Sequence, residues 1–278
     1  MKQRSLLAAF AHPDDEAFGT AGVFRHYHDQ GVRTALVCAT RGEEGEISDA
    51  ALATKETLGQ VREGELRTAA EIMRIEDLTF LGYHDGRLAV ADVHEATGRL
   101  VREVRRVRPQ VVVTFDANGG YGHTDHMAFH RLTLAAFHQA GDPACYPEQL
   151  AEGLATYQPQ KLYYTAFPRS VMSGLRAQAE QAGQSFAPGG DAATIPAEEM
   201  GTPDEVITTS IPLDDMLFEA KLAAMQAHRT QMGPEGIVQT LPPQVVRSWL
   251  GTERFVLAVP TGRPGDGSEH DLFAGVIE

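Results

Sequence analysis

The first 140 residues alternate short apolar runs with longer amphipathic stretches, and this alternation constrains the fold more than any other feature of the chain. The runs lie at 6–11, 35–40, 78–83 and 111–115 and carry few charges, the pattern of strands buried on both faces of a parallel sheet. Over 15–30, Phe18, Ala21, Phe24 and Tyr27 recur at three-residue spacing, and Gly31 closes the stretch. Over 57–74, Leu58, Val61, Leu66, Ala69, Ala70 and Met73 fall on one broad face; 90–107 repeats the pattern until Pro109 ends it. A β-α-β-α-β-α-β order predicts an α/β fold with a Rossmann-like, mainly parallel sheet and helices on both faces. Ligands in such sheets sit beyond the carboxyl ends of the strands.

Beyond a helix over 123–139 the pattern loosens. A proline-bearing connection over 142–159 leads to a strand at 161–167 and a helix to about residue 181. The Pro- and Gly-rich stretch 183–204 reads as a long irregular loop, a candidate lid. A strand near 206–211, a helix over 214–231, a short helix over 244–250 and a strand over 254–259 follow. The expected organisation is a Rossmann-like catalytic core over 1–167. A smaller α+β extension over 168–278 then completes the same domain and the substrate pocket.

Charge narrows the function classes. With 24 Lys and Arg against 38 Asp and Glu, the net charge is −14, which repels phosphate backbones. The basic stretch 101–108 reads as the solvated face of a helix, so no nucleic-acid partner is expected. Cys38 and Cys145 are too few for a disulfide framework. No run approaches the roughly 20 apolar residues of a membrane span, and the run over 5–11 ends in charge, unlike a signal peptide. A cytoplasmic protein without a membrane partner is expected, with homo-oligomerisation left open.

The chemistry lies where strands end. The first strand runs straight into His12-Pro13-Asp14-Asp15-Glu16. Imidazole and carboxylate together make good zinc ligands, whereas a single Asp14 or Asp15 here would serve merely as a helix cap. The fourth strand ends in Asp116-Ala117-Asn118-Gly119-Gly120-Tyr121-Gly122-His123-Thr124-Asp125-His126, a glycine-rich loop feeding a helix with histidines at i and i+3. Two ligands from the first cluster and one from the second would form a three-ligand catalytic metal site with an open position. Two cysteines cannot build the sulfur-rich shell of a structural zinc site.

These two motifs together, HPDDE and GGYGHTDH, resemble the LmbE/PIG-L family of zinc-dependent N-acetylglucosamine deacetylases, particularly its mycothiol- and bacillithiol-pathway enzymes. Supporting matches are RGEEGE at 41–46, the helix around 62–66, LGYHDG at 81–86 and AHRTQM at 227–232. Thr124 stands where the family more often has proline. The resemblance implies His12, Asp15 and His126 as ligands of one zinc ion, with Fe2+ as an alternative in the cell. It implies Asp14 as general base on a water activated by zinc, and as the acid that returns the proton to the departing amine. It implies a cationic His123 as stabiliser of the tetrahedral oxyanion, oriented or held charged by Asp125, with Tyr121 donating to the same oxygen.

For sugar recognition the resemblance points to Arg62 and Asp85, with Glu46 or Glu43 beside them. The plainer readings are a solvated helix residue for Arg62, a turn at Asp85-Gly86 and an exposed acidic loop around Glu44. His130 follows His126 by four, the spacing of a ligand pair, but reads as a packing residue; His26, His28, His94, His138 and His270 read as surface residues, and His84 as a residue of the Asp85 turn rather than of the site. His228 lies in AHRTQM without a derivable role. The function expected is removal of acetate from a small N-acetylglucosaminyl substrate. An amidase acting on glucosaminyl thiol S-conjugates, using the same machinery, and a non-catalytic sugar-binding module are the alternatives. Asp14 and His123 beside three ligands argue against the module, and the missing G-x-G-x-x-G loop argues against a nucleotide-binding oxidoreductase. One Trp and 7% aromatics give no stacking platform for a long polysaccharide.

Overall fold

A computed structural model describes residues 3–181, 196, 199–233, 236–260 and 269–277. Among the described residues, seven strands form one mixed sheet in the order β3-β2-β1-β4-β5-β7-β6. They are β1 (Ser5–Phe10), β2 (Arg33–Cys38), β3 (Asp77–Phe80), β4 (Val111–Thr114), β5 (Lys161–Ala166), β6 (Thr209–Pro212) and β7 (Thr252–Val259). The first five pair in parallel, whereas β7 runs antiparallel to both β5 and β6. Strands β1 and β4 are buried throughout, as their unbroken apolar runs require. The expected α/β fold is therefore the observed one.

The helices are α1 (Asp15–Asp29), α2 (Leu58–Met73), α3 (Val93–Val107), α4 (Gly119–Gly122), α5 (Thr124–Gln139), α6 (Pro147–Ala151), α7 (Arg169–Gln181), α8 (Asp215–Ala227), α9 (Ile237–Thr240) and α10 (Pro243–Leu250). Helices α1, α2 and α8 pack on one another, and α3 packs on α5. Chain direction reverses beside β1: the chain winds through β2 and β3 to one edge, then returns to place β4 on β1's other side. Crevices for ligands open at such a switch point, and the two motif-bearing loops leave the sheet there, after β1 and after β4.

Several local expectations shift. The helix expected over 90–107 starts at Val93, because Asp92 caps it through the Glu95 N–H and Leu88–Val90 forms a separate 3-10 turn. The helix expected over 214–231 ends at Ala227. The last strand before it starts at Thr209, since Asp204–Val206 forms a 3-10 turn. The connection over 142–159 contains α6, begun by Pro147 at its first position. The candidate lid over 183–204 lies for the most part outside the described residues. Among the described residues no helix is long and apolar enough to cross a membrane.

Candidate metal and catalytic site

The loop after β1 carries its polar side chains on a turn that is strained by design of the sequence. Asp14 adopts φ 115°, a left-handed value rare for a residue with a Cβ. Its side chain makes no capping hydrogen bond to α1, so the plain helix-cap reading fails for Asp14. Asp15 turns back instead, and its Oδ2 accepts the His12 N–H at 2.8 Å.

Three donor groups converge. His12 Nδ1 lies 3.1 Å from His126 Nε2 and 3.5 Å from Asp15 Oδ2, and His126 Nε2 lies 3.2 Å from Asp15 Oδ1. Metal–donor distances of about 2.0–2.1 Å at tetrahedral angles place neighbouring donors roughly 3.3–3.4 Å apart. The two imidazole nitrogens stand near that spacing, and Asp15 meets each of them with a different carboxylate oxygen, a set able to hold one first-row divalent ion. Two wider groupings within 4.8 Å have His12 in common, His12 with His123 and His126, and His12 with Asp85 and Asp125. The second of these addresses the other edge of the His12 ring.

Both ring orientations suit ligation. His126 Nδ1 lies 3.1 Å from the Gly119 carbonyl, which only accepts; the proton therefore sits on Nδ1 and the lone pair on Nε2. Gly119 is required there, because at φ 61° a Cβ would press within 2.6 Å of the His126 Cβ. His12 Nε2 stands 2.8 Å from Asp85 Oδ1 and 3.5 Å from Asp125 Oδ2, which favours the proton on that edge and frees Nδ1.

The electrostatics also call for a cation. Burial works against a charged His12, yet the carboxylates of Asp125, Asp15 and Asp85 outweigh it and hold its pKa well above the usual value. Burial alone would raise Asp15, but His126 and His12 hold it well below the ordinary carboxylate range. Asp14 differs. Burial, with Asp15 and Glu16 nearby, pushes it up to about 6 against the opposing pull of Arg62 and His228.

The second loop supplies His123, whose ring packs edge-on to His12 and stacks on His126 with centroids 4.8 and 4.5 Å away. Its Nδ1 accepts the Asp125 backbone N–H at 3.2 Å, so the ring's remaining proton is on Nε2. Burial, followed by His126 and His12, lowers its pKa to about 4. The expected partnership of Asp125 with His123 is made through the Asp125 backbone N–H alone. The fully buried Asp125 carboxylate is committed elsewhere, accepting the Gly86 and Leu88 N–H groups at 2.7 and 3.1 Å. Tyr121 is half-buried with its ring 5.2 Å from that of His126, and burial raises its pKa so that the phenol keeps its proton.

The residues expected at the sugar divide. Asp85 lies inside the cluster: its Oδ2 accepts the Glu44 N–H, and His12 holds its pKa down to about 2 despite burial. Glu43 Oε2 accepts the Asp85 N–H at 3.2 Å. Arg62 is 3% exposed, which removes its solvated-helix reading. It donates to the Gly42 carbonyl at 2.9 Å and the Pro13 carbonyl at 2.5 Å, and lies 3.4 Å from Asp14 Oδ2. Glu46 is exposed; its backbone carbonyl accepts from Gln231 Nε2, and no contact among the described residues links its carboxylate to the cluster. A polar cleft of about 560 Å³ adjoins the Asp85 turn, lined by Arg41, Glu43, Glu44, Lys55, Glu63 and His84 among others.

Of the remaining histidines, His130 is buried against Tyr164 with Nδ1 at 2.9 Å from the Phe115 carbonyl, a packing role. His94, His138 and His270 are exposed, while His26 and His28 are half-buried. Sequence reasoning left Glu16 and His228 without roles. Both are buried, and they pair at 2.7 Å directly behind Asp14. The signals in the sequence are the place of Glu16 in HPDDE and of His228 in AHRTQM.

A family model for PIG-L, the GlcNAc-PI de-N-acetylase, matches residues 7–137, which include every donor above. A 1D-myo-inositol 2-acetamido-2-deoxy-alpha-D-glucopyranoside deacetylase of Acidothermus cellulolyticus is 39% identical over 299 residues, covering 98% of this chain and 95% of its own. The enzyme of that name from Thermobifida fusca is 37% identical, covering 99% and 100%. The N,N'-diacetylchitobiose deacetylase of Pyrococcus horikoshii shares the fold at a TM-score of 0.68 and 20% identity, covering 99% of this chain and 87% of its own. A 4-carboxy-2-hydroxymuconate hydratase from Pseudomonas putida also shares it, at 0.59 and 19%, covering 94% and 98%. One fold thus carries two chemistries, and the site must decide. On its motifs and its full-length relatives, the chain belongs to the PIG-L (LmbE-like) de-N-acetylase family.

Proposed function

We propose that the protein is a metal-dependent N-deacetylase that hydrolyses the acetamide of a small N-acetylglucosaminyl substrate, an inositol-linked one as in its relatives' names, in the cytoplasm. The observation that carries this reading is the three-donor centre of His12, Asp15 and His126, with one further carboxylate, Asp14, next to Asp15 in the chain, 3.4 Å from Arg62 and not needed for ligation. A divalent ion held there, zinc by the chemistry of the donor set or Fe2+ in its place, supplies Lewis acidity toward the amide carbonyl and lowers the pKa of water.

Asp14 takes a proton from the attacking water as its oxygen adds to the acetyl carbon. Burial and the neighbouring Asp15 and Glu16 carboxylates favour its taking a proton, against the pull of Arg62 and His228. His123 offers its Nε2 proton to the oxyanion as a neutral donor, joined by Tyr121. When the carbon–nitrogen bond breaks, Asp14 returns its proton to the nitrogen, releasing acetate and a free amine. Asp85 and the Arg62-braced loop bound the sugar, and Glu46 stands farther out. The charged cleft beside Asp85 suits the hydroxyls of a polyol aglycone rather than an apolar or polyanionic one.

The test is a free-amine assay of the metal-loaded protein on N-acetylglucosaminyl compounds, inositol- and malate-linked ones included. Amine and acetate should appear in equal amounts, fastest from the inositol-linked compound. Absence of amine from every member of the panel contradicts the proposal.

A further inference from the structure

His228 ends α8, the helix that packs across α1 and α2. It is 0% exposed, and its Nε2 lies 2.7 Å from Oε1 of Glu16, itself 1% exposed. The other oxygen of Glu16, Oε2, accepts the backbone N–H of Asp14 at 3.0 Å. A buried carboxylate needs full pairing, and this one spends its two oxygens on a histidine 212 positions away and on one particular amide. That amide belongs to the residue at φ 115°. Such a conformation is strained for a residue with a Cβ and persists only where its surroundings over-determine it. Arg62 grips the same turn from the other side, at the Pro13 carbonyl. Neither Glu16 nor His228 is among the three metal donors.

We propose that Glu16 and His228 are positioning residues for the reaction: acting through the Asp14 N–H, they hold the Asp14 carboxylate at the reacting water. The inference rests on the reading of Asp14 as general base. His228 orients Glu16, Glu16 fixes the strained turn, and the turn fixes where the carboxylate points. The C-terminal segment thereby contributes to a centre whose other parts all come from the first 126 residues.

A double-mutant cycle tests this, with His228→Leu, Asp14→Asn and the double variant assayed on the inositol-linked substrate alongside metal content and Tm. His228→Leu should lower kcat roughly 10- to 10²-fold, as small misplacements of a reacting group do, while KM stays within about twofold. Metal content should remain at the wild-type level. His228→Gln, which keeps an amide donor toward Glu16, should recover part of the loss. In the Asp14→Asn background His228→Leu should cost almost nothing further, because the group it positions is already gone. An equal factor in both backgrounds, or wild-type kcat in His228→Leu, overturns the proposal. Should His228→Leu not fold, the same cycle run with Glu16→Gln is read by the same criterion. Undiminished turnover in Asp14→Asn would instead remove the general-base reading, and the positioning role with it. Loss in Asp14→Asn with an additive cycle removes the positioning role alone.

Discussion

His12 Nδ1 and His126 Nε2, delivered by loops 114 residues apart, point at one another across 3.1 Å, with the Asp15 carboxylate within 3.5 Å of both. Two imidazole nitrogens this close need a proton or a cation between them, since two facing lone pairs repel. The switch point at β1 and β4 therefore creates a position where a proton and a divalent ion compete, and the proposed function assigns it to the ion. His126→Ala leaves two donors and should lose most of the bound metal. Elemental analysis of that variant checks it, and full stoichiometric metal would contradict the donor set.

Metal binding should release a proton and tighten as pH rises. In the metal-free protein the surrounding carboxylates keep His12 protonated well above its ordinary pKa. A ligand must be deprotonated, so the ion competes with that proton, and the competition eases as pH increases toward the raised pKa. Titration calorimetry in buffers of different ionisation enthalpy measures the proton count. A pH-independent affinity with no proton released would contradict the charge arrangement.

Asp14→Asn should keep its metal and lose about 10²-fold or more in turnover, as removal of a general base does. A base works ionised, so kcat/KM should rise with pH through the pKa of Asp14. That value is about 6 without metal, and a neighbouring dication lowers it, so the rising limb belongs at or below pH 6. A metal-free Asp14→Asn protein would mean that the two aspartates hold exchanged roles.

His123→Ala should cost roughly 10²-fold in kcat with metal content unchanged, in line with the loss of one oxyanion donor. Because Asp125 N–H occupies Nδ1, the donor is a neutral Nε2–H. His123→Gln, which retains a neutral N–H donor, should therefore recover a substantial part of the activity. Equal loss in both variants would favour a cationic His123.

How much of this was legible in the sequence depended on distance along the chain. HPDDE and GGYGHTDH are contiguous, and each follows an apolar run, so strand ends, the α/β fold and the clustering of polar groups could all be read locally. The antiparallel β7, inserted between β5 and β6, carries no local mark, since a short apolar run reads alike in either direction. Asp125 beside His123 suggested a pair, but chain adjacency says nothing of where a carboxylate points. The Gly86 and Leu88 amides that claim it come from a turn 37–39 residues earlier. Arg62 sits on a helix whose polar face looks solvated until the loop over 41–45 folds across it. Glu16 and His228 were beyond reach for the same reason: a buried pair 212 residues apart leaves no periodicity to read.

The burial of Arg62 gives a prediction for stability. Gly42 holds φ 67°, and a Cβ there would strike the Arg62 guanidinium. Arg62→Ala strips partners from two buried carbonyls and the Asp14 carboxylate, so roughly 2–4 kcal/mol of stability should be lost. Gly42→Ala should also destabilise, by strain and displacement. Denaturant unfolding of the metal-free forms measures both, and wild-type stability in Arg62→Ala would show that the clamp carries no weight.

The central claim, one catalytic ion held by His12, Asp15 and His126, is tested most directly by reconstitution. Metal-stripped protein is titrated with zinc, and acetate release from 1D-myo-inositol 2-acetamido-2-deoxy-alpha-D-glucopyranoside is followed at each addition. Activity should start near zero, rise linearly and break at one equivalent per chain, with no such rise for His126→Ala. Full turnover in the stripped protein, or a rise in His126→Ala that matches the wild type, would contradict the account.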